Sequence, residues 1–165
     1  MDTKLDFVAI GDITTDAFIR LKESEAHIVE TEGRQEICMS FGDKIPYEKV
    51  DVVRAVGNSP NAAVSAAHLD LASAVVTTVG DDENGRECIA SLKESGVDPR
   101  FVMVQKNIET NYHYVLCYGA ERTILVKHHE YTYRLPDVGE PAFIYISSLA
   151  ENSHEYHNEI AAYLA

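Results

Sequence analysis

Two aspartates in the segment GDITTD (residues 11–16) have types and spacing that allow ligand binding. They follow the apolar run LDFVAI, which is typical of a buried parallel strand. Asp12 and Asp16 would lie near the carboxyl end of that strand, where open α/β folds bind their ligands. Aspartate also favours turns and helix caps, so a turn-forming role stays open. A dinucleotide site would need further spaced glycines after Gly11, which disfavours a Rossmann-type dehydrogenase.

A second polar group stands before an alanine-rich segment in GNSPNAAVSAAHL. We predict a helix over about 60–70, with Pro60 as its first residue and Ser59 or Asn58 as its cap. A glycine before a helix start lets a ligand approach the backbone closely, and the alanines let the helix pack tightly against a sheet. Capping and packing do not explain why both Asn58 and Asn61 are present.

A third polar group, VGDDENG at residues 79–85, also follows a strand-like run. Gly80 permits a sharp turn, and acidic residues suit the start of the next helix. Helix initiation is the favoured interpretation. A magnesium-binding role is an alternative that the spacing does not demand.

Length and charge limit the function classes. The 165 residues carry a net charge of −13 from 27 acidic and 14 basic residues. The negative field of this net charge repels phosphate backbones, so we expect no nucleic-acid partner. We also expect no membrane association, because the sequence has no long apolar span. Three cysteines and seven histidines lack metal-ligand spacing. Reduced thiols in a cytoplasmic protein are the expected state.

The elements that must position these residues follow a βαβα order, which predicts an α/β core with a mostly parallel sheet. The apolar runs SAVVTTVG and AFIYISS predict two more buried strands, FVMVQ another strand, and residues 82–96 a helix that stops at Gly96. Residues 17–53 and 108–130 alternate in polarity instead, and Gly119 marks a hairpin turn. We expect these two segments to pair as a small separate sheet that forms a lid.

The order of these motifs resembles the N-terminal half of the PfkB family of carbohydrate and nucleoside kinases, the ribokinase-like group. The family's Gly-Gly-x-x-x-Asn-x-Ala is matched at Gly57, Asn61 and Ala63, with Val56 in place of the first glycine. Its Gly-x-Asp-x-x-Gly is matched within residues 79–85. The resemblance implies a three-layer α/β/α core with a mostly parallel sheet and a small β-sheet lid. Residues 1–165 would be the N-terminal part of one such domain.

The resemblance also implies roles for particular residues. Asp16 resembles the aspartate that binds substrate hydroxyls, and Gly57, Asn58 and Asn61 resemble the segment that lines the sugar pocket. The expected lid resembles the lid of this family, which often forms a homodimer contact. The core sheet is expected to have an open edge after its third strand, and this edge is a second expected contact between two copies. Ser148 or Leu149 stands near the place where ribokinases carry a substrate-binding glutamate, so ribose specificity is not implied.

The family's catalytic aspartate lies in a Gly-Ala-Gly-Asp motif, which does not occur in these 165 residues. Its magnesium-associated and adenine-binding motifs also lie further along the chain. The resemblance therefore implies the substrate-binding half of an ATP-dependent sugar or nucleoside kinase. ATP and Mg²⁺ would serve the complete enzyme, and we expect this truncated chain to be inactive alone. The alternative is a non-catalytic binding or oligomerisation module with a kinase-derived fold.

Overall fold

The structure, a computed structural model, describes residues 4–165. The strands are β1 (Phe7–Ile10), β2 (Thr14–Leu21), β3 (Ala26–Thr31), β4 (Arg34–Met39), β5 (Tyr47–Val56), β6 (Ser73–Gly80), β7 (Val102–Gln105), β8 (Tyr112–Tyr118), β9 (Glu121–Leu125) and β10 (Phe143–Ile146). The helices are α1 (Asn58–His68), α2 (Glu83–Glu94), a short 3₁₀ helix (Glu151–Ser153) and α3 (His154–Leu164). Within the described residues, no helix has the length and apolar character needed to cross a bilayer.

The chain forms two compact units. The first unit contains residues 4–15, 54–112 and 127–165, and the second contains Asp16–Val53 and His113–Val126. The first unit holds a four-stranded sheet in the order β10-β1-β6-β7, and all three strand pairings are parallel. This arrangement confirms the predicted α/β class with a mostly parallel sheet.

Both faces of this sheet are covered, because successive residues of a strand point to opposite sides. One core contains side chains from β1, β6, α1 and α2: Ala9, Ala63, Val75, Val79, Cys88 and Leu92. The other contains side chains from β1, β6 and α3: Val8, Ile10, Ala74, Val76, Tyr156 and Ile160. The first unit is therefore built in three layers, helix, sheet and helix. The small alanine at position 63 is fully buried, as expected for a helix packed closely on a sheet.

Helix α2 begins and ends with the signals predicted from the sequence. The Asp82 carboxylate accepts a hydrogen bond from the Gly85 backbone N–H at 2.8 Å, which caps the first turn. Gly96 adopts a φ of 80° just after the helix. Its N–H donates to the Lys93 carbonyl and the next N–H donates to the Leu92 carbonyl, which is the Schellman pattern.

The prediction that AFIYISS forms a third buried strand is wrong about burial. β10 forms and pairs with β1, but within the described residues it is an edge strand. Phe143 is 63% exposed, and Tyr145 and Ile146 are 40% and 41% exposed. An apolar run indicates that a strand can be buried. Whether the strand is buried depends on the neighbouring strands and helices that cover it.

The second unit contains the predicted small sheet. Its four strands lie in the order β5-β2-β8-β9, so the segments at 17–53 and 108–130 do pair with each other. β8 and β9 are antiparallel and enclose Gly119 in their turn, as predicted. β3 and β4 form a separate antiparallel hairpin. A lid function for this unit stays a prediction.

Candidate functional site

Gly57 brings the first turn of α1 directly against the end of β1. Its φ of 126° belongs to a region that residues with side chains rarely adopt. A Cβ atom at this position would also lie 2.7 Å from the carbonyl oxygen of Asp12. Glycine is therefore required here both by conformation and by space. The Asp12 carbonyl therefore lies where a side chain of residue 57 would begin, and the close approach of a ligand to this backbone stays a prediction.

The predicted capping of α1 by Ser59 or Asn58 is wrong. The residue before the helix is Gly57, and no side chain of residues 4–165 caps the first turn. The Ser59 hydroxyl instead donates to the Ile10 carbonyl at 2.8 Å and lies 2.6 Å from the Ser147 hydroxyl. The Ile10 carbonyl also accepts from the Ser147 N–H at 3.0 Å, so the Ser59 hydroxyl joins the start of α1 to the ends of β1 and β10 instead of capping the helix. Pro60 is the third helical residue rather than the first, a position that also lacks an intrahelical acceptor for an N–H.

The two asparagines of the first turn have different surroundings. Asn58 Nδ2 donates to the Ser148 hydroxyl at 3.2 Å. The Ser148 carbonyl accepts from the Asp12 N–H at 3.1 Å, which ties this serine to the end of β1. Asn61 is exposed, and within residues 4–165 its side-chain amide makes no hydrogen bond. Asn61 can therefore offer a ligand both a donor and an acceptor, while Asn58 is already oriented by a partner.

Asp12 is held by a tyrosine that sequence reasoning missed. The Tyr133 hydroxyl lies 2.9 and 3.1 Å from the two carboxylate oxygens of Asp12, to which it donates, and it accepts from the Ala150 N–H at 3.3 Å. Burial raises the pKa of Asp12 above its usual value, although the Tyr133 bond acts in the opposite direction. Burial likewise raises the pKa of Tyr133, so its hydroxyl keeps its proton. These contacts give Asp12 a structural role at the end of β1.

Asp16 is the first residue of the second unit and lies within strand β2. Its strand position removes the turn-forming alternative. Its Oδ1 atom is 3.3 Å from Nδ1 of His113, and the two side chains are 17% and 12% exposed. The carboxylate is thus mostly enclosed, and Oδ1 forms no hydrogen bond within the described residues.

Asp82 has the structural role that the sequence favoured. Besides capping α2, its carboxylate accepts from the N–H of Thr110 at 2.9 Å and from the Thr110 hydroxyl at 2.6 Å. Burial alone would raise the pKa of Asp82, but the bonds from Thr110 and Gly85 lower it below the usual value. Both oxygens are therefore engaged by the protein. No group of three or more His, Cys, Asp and Glu residues able to hold a metal ion occurs in residues 4–165.

The residues around the start of α1 present amides, hydroxyls and backbone groups in one unit. Such groups can bind a neutral ligand rich in hydroxyls, because each hydroxyl both donates and accepts hydrogen bonds. Sequence analysis did not identify Tyr133 or Ser147 as site residues. It named Ser148 only because ribokinases carry a glutamate near that position. No local signal marks them, since their partners are 88 to 121 residues away along the chain.

The chain is similar to known proteins in sequence and in fold. The sequence model of the pfkB family of carbohydrate kinases matches residues 25–165. Fructokinase-1 of Oryza sativa subsp. japonica is 36% identical over 90 residues, which cover 47% of this chain and 28% of that protein. The chain therefore spans less than a third of the length of this relative.

Solved ribokinases share the fold. The ribokinase of Cryptococcus neoformans var. grubii serotype A, in complex with ADP, aligns with a TM-score of 0.66 and 18% identity over 96% of this chain and 44% of that one. The Arabidopsis thaliana ribokinase, complexed with ribose and ATP, aligns with a TM-score of 0.60 and 18% identity. That alignment covers 76% of this chain and 36% of the other. At these identities the likeness is one of fold.

Proposed function

Because the chain belongs to the pfkB family of carbohydrate kinases, we propose that it supplies the substrate-binding part of an ATP-dependent sugar or nucleoside kinase. The complete enzyme would transfer the γ-phosphoryl group of ATP to a substrate hydroxyl. The observation that carries this proposal is the family match over residues 25–165. ATP as the donor is supported by the ATP and ADP in the two similar ribokinases.

The free thiols of Cys38, Cys88 and Cys117 fit a reducing cytoplasm.

Four residues are proposed to bind the substrate. The Asp16 carboxylate accepts hydrogen bonds from substrate hydroxyls, and the exposed Asn61 amide donates and accepts further ones. Gly57 lines the proposed pocket with its backbone, and Asn58 adds an amide whose orientation is fixed by Ser148. Ser148 or Leu149 stands near the place where ribokinases carry a substrate-binding glutamate, so ribose specificity is not carried over to this chain.

We propose no catalytic base among these 165 residues. Phosphoryl transfer depends on positioning and on stabilisation of the developing charge, which the family achieves with its Gly-Ala-Gly-Asp helix start. That motif is absent from the sequence, and the described residues hold no metal-ligand cluster. We therefore propose that this chain binds the substrate.

The test is to titrate the mass-verified 165-residue protein with pentoses, hexoses and nucleosides by calorimetry, and to assay the same samples for ADP release. We expect saturable binding of at least one sugar or nucleoside, with ADP release at the rate of a protein-free control. Sustained ATP-dependent phosphorylation by this protein would contradict the proposal that these 165 residues contain no catalytic base. Failure to bind any compound of the panel would contradict the substrate-binding role.

We also propose that two copies associate through the second unit. This unit exposes large apolar side chains on several strands, including Ile28 (47%) of β3, Val52 (43%) of β5 and Ile124 (42%) of β9, and exposed apolar surface favours association. The exposed edge of β10 supports the second candidate function, a binding or oligomerisation module.

Sedimentation velocity over a concentration series tests this association. We expect a dimer, and we expect Ile124→Lys to convert it to a monomer because the new charge would be buried at the contact. Leu69→Lys is the matched control, since Leu69 is 74% exposed in the first unit. A wild-type protein that stays monomeric at high concentration, or an Ile124→Lys protein that stays dimeric, would refute the second-unit contact.

A further inference from the structure

A groove of about 520 Å³ lies in the first unit, apart from the residues proposed to bind the sugar. Its polar lining comes from the ends of β6 and β7 and from the segment that precedes β10. The residues are Thr78, Gln105, Lys106, Thr132 and Arg134. None of them has a role in the function proposed above.

Two positive charges face this groove without a compensating carboxylate. Neither Lys106 nor Arg134 forms a salt bridge or a side-chain hydrogen bond with any residue in the range 4–165. This is notable in a chain that has 27 acidic and only 14 basic residues. The lysine offers a compact point charge, and the arginine offers a planar fork of N–H donors that suits an oxyanion.

A buried hydroxyl lines the same groove. Thr78 is 1% exposed, and its Oγ1 atom has no hydrogen-bond partner within the described residues. A buried donor without a partner costs free energy, and most such groups in folded proteins are paired. Because Thr78 lines the groove, a ligand oxygen placed there would supply the missing acceptor.

The three donors are carried by segments that are fixed to each other. Gln105 Oε1 accepts from the Thr132 N–H at 2.8 Å, which ties the segment that carries Arg134 to the strand that precedes Lys106. Thr78 is the register partner of Met103 in the β6–β7 pairing, so it is held by the same sheet. The lining is thus ordered before any ligand binds, which lowers the entropic cost of binding.

We propose that this groove binds a phosphate group, either as the free anion or as part of a phosphate ester. The lysine, the arginine fork and the threonine hydroxyl approach from three different segments. A tetrahedral group with several acceptor oxygens can satisfy all three, and its charge compensates both cations. The proposal does not depend on sugar binding, because none of Asp16, Gly57, Asn58 and Asn61 lines the groove.

The experiment is a calorimetric titration of the 165-residue protein with inorganic phosphate at low ionic strength. We expect saturable binding with one site per chain. Lys106→Gln and Arg134→Gln should each weaken it by about tenfold, as expected for charge-assisted bonds. Thr78→Val should weaken it severalfold while keeping the shape of the side chain.

Two matched variants serve as controls. Lys93→Gln removes the same charge from an exposed position of α2. Thr77→Val removes a hydroxyl that is also buried and has no hydrogen-bond partner in the described part of the chain, but that does not line the groove. Both should bind phosphate as the wild type does. Thermal unfolding confirms that each variant is folded, and Lys106→Arg, which keeps the charge, should restore most of the affinity lost in Lys106→Gln.

Several results would overturn the proposal: no saturable binding, an equal loss of affinity in Lys93→Gln, or equal binding of acetate and phosphate. Titration with glycerol 3-phosphate separates the two sources of the group. Tighter binding than that of inorganic phosphate indicates an ester ligand, and weaker binding indicates the free anion. Sugar binding, measured on the same variants, should be unchanged, so the outcome is distinguishable from a failure of the kinase proposal.

Discussion

Replacing Asp16 with asparagine is expected to weaken the binding of the sugar or nucleoside by about 10- to 100-fold, because hydrogen bonds to a charged acceptor contribute about 1.5–3 kcal/mol each. The carboxylate has two acceptor oxygens, whereas the amide has one and turns two donors toward the ligand. The side chain is only 17% exposed, so water replaces the lost interaction poorly. Calorimetry with the substrate identified for the wild type measures the change.

Asp51→Asn is the control for this prediction. Asp51 lies in the same unit and undergoes the same chemical change, but its side chain is 59% exposed in a surface pair with Lys49. Surface pairs contribute little, so we expect an affinity within about twofold of wild type. An Asp16→Asn protein that is folded and binds the substrate as tightly as Asp51→Asn does would remove Asp16 from the proposed site.

Much of the fold could be predicted because its signals are local. The apolar run before Gly11, the acidic residues at the start of α2 and the stop at Gly96 each depend on residues within a few positions of one another. The hairpin turn at Gly119 is equally local. All of these predictions are confirmed. The burial of β10 was predicted wrongly because it depends on a neighbouring strand and not on its own composition.

The candidate site was less predictable because its contacts join distant parts of the chain. Ser59 was assigned to the helix start beside it, but its hydroxyl bonds to Ile10, 49 positions away. Tyr133 reaches Asp12 across 121 positions, and nothing in its own surroundings predicts this. The structure places the Asp12 carbonyl where a side chain of residue 57 would begin, whereas the close approach of a ligand to Gly57 stays a prediction. Whether Asp16 and Asn61 bind a substrate stays a prediction.

Gly80→Ala is expected to reduce the free energy of unfolding by about 3 kcal/mol or more, the upper range for overpacking a site that cannot relax. A Cβ atom on Gly80 would overlap the Ile108 carbonyl oxygen and would lie 2.5 Å from the carbonyl carbon of Glu109 and 2.6 Å from the nitrogen of Thr110. All three are backbone atoms, so no side-chain rotation can make room. The segment is also fixed by the bond from the Gly80 N–H to the Thr110 hydroxyl at 3.0 Å.

Urea unfolding measures this change, and Gly139→Ala is the control that separates crowding from backbone strain. A Cβ atom on Gly139 would meet nothing within 4 Å, but the residue has a φ of 69°. Its substitution should therefore cost only about 1–2 kcal/mol, the penalty for a left-handed conformation. Gly80 has no such strain, so a large loss confined to Gly80→Ala would come from the close backbone contact. Equal losses of stability in the two variants would contradict this. They would show that backbone conformation, and not the space a side chain needs, determines the cost of replacing these glycines.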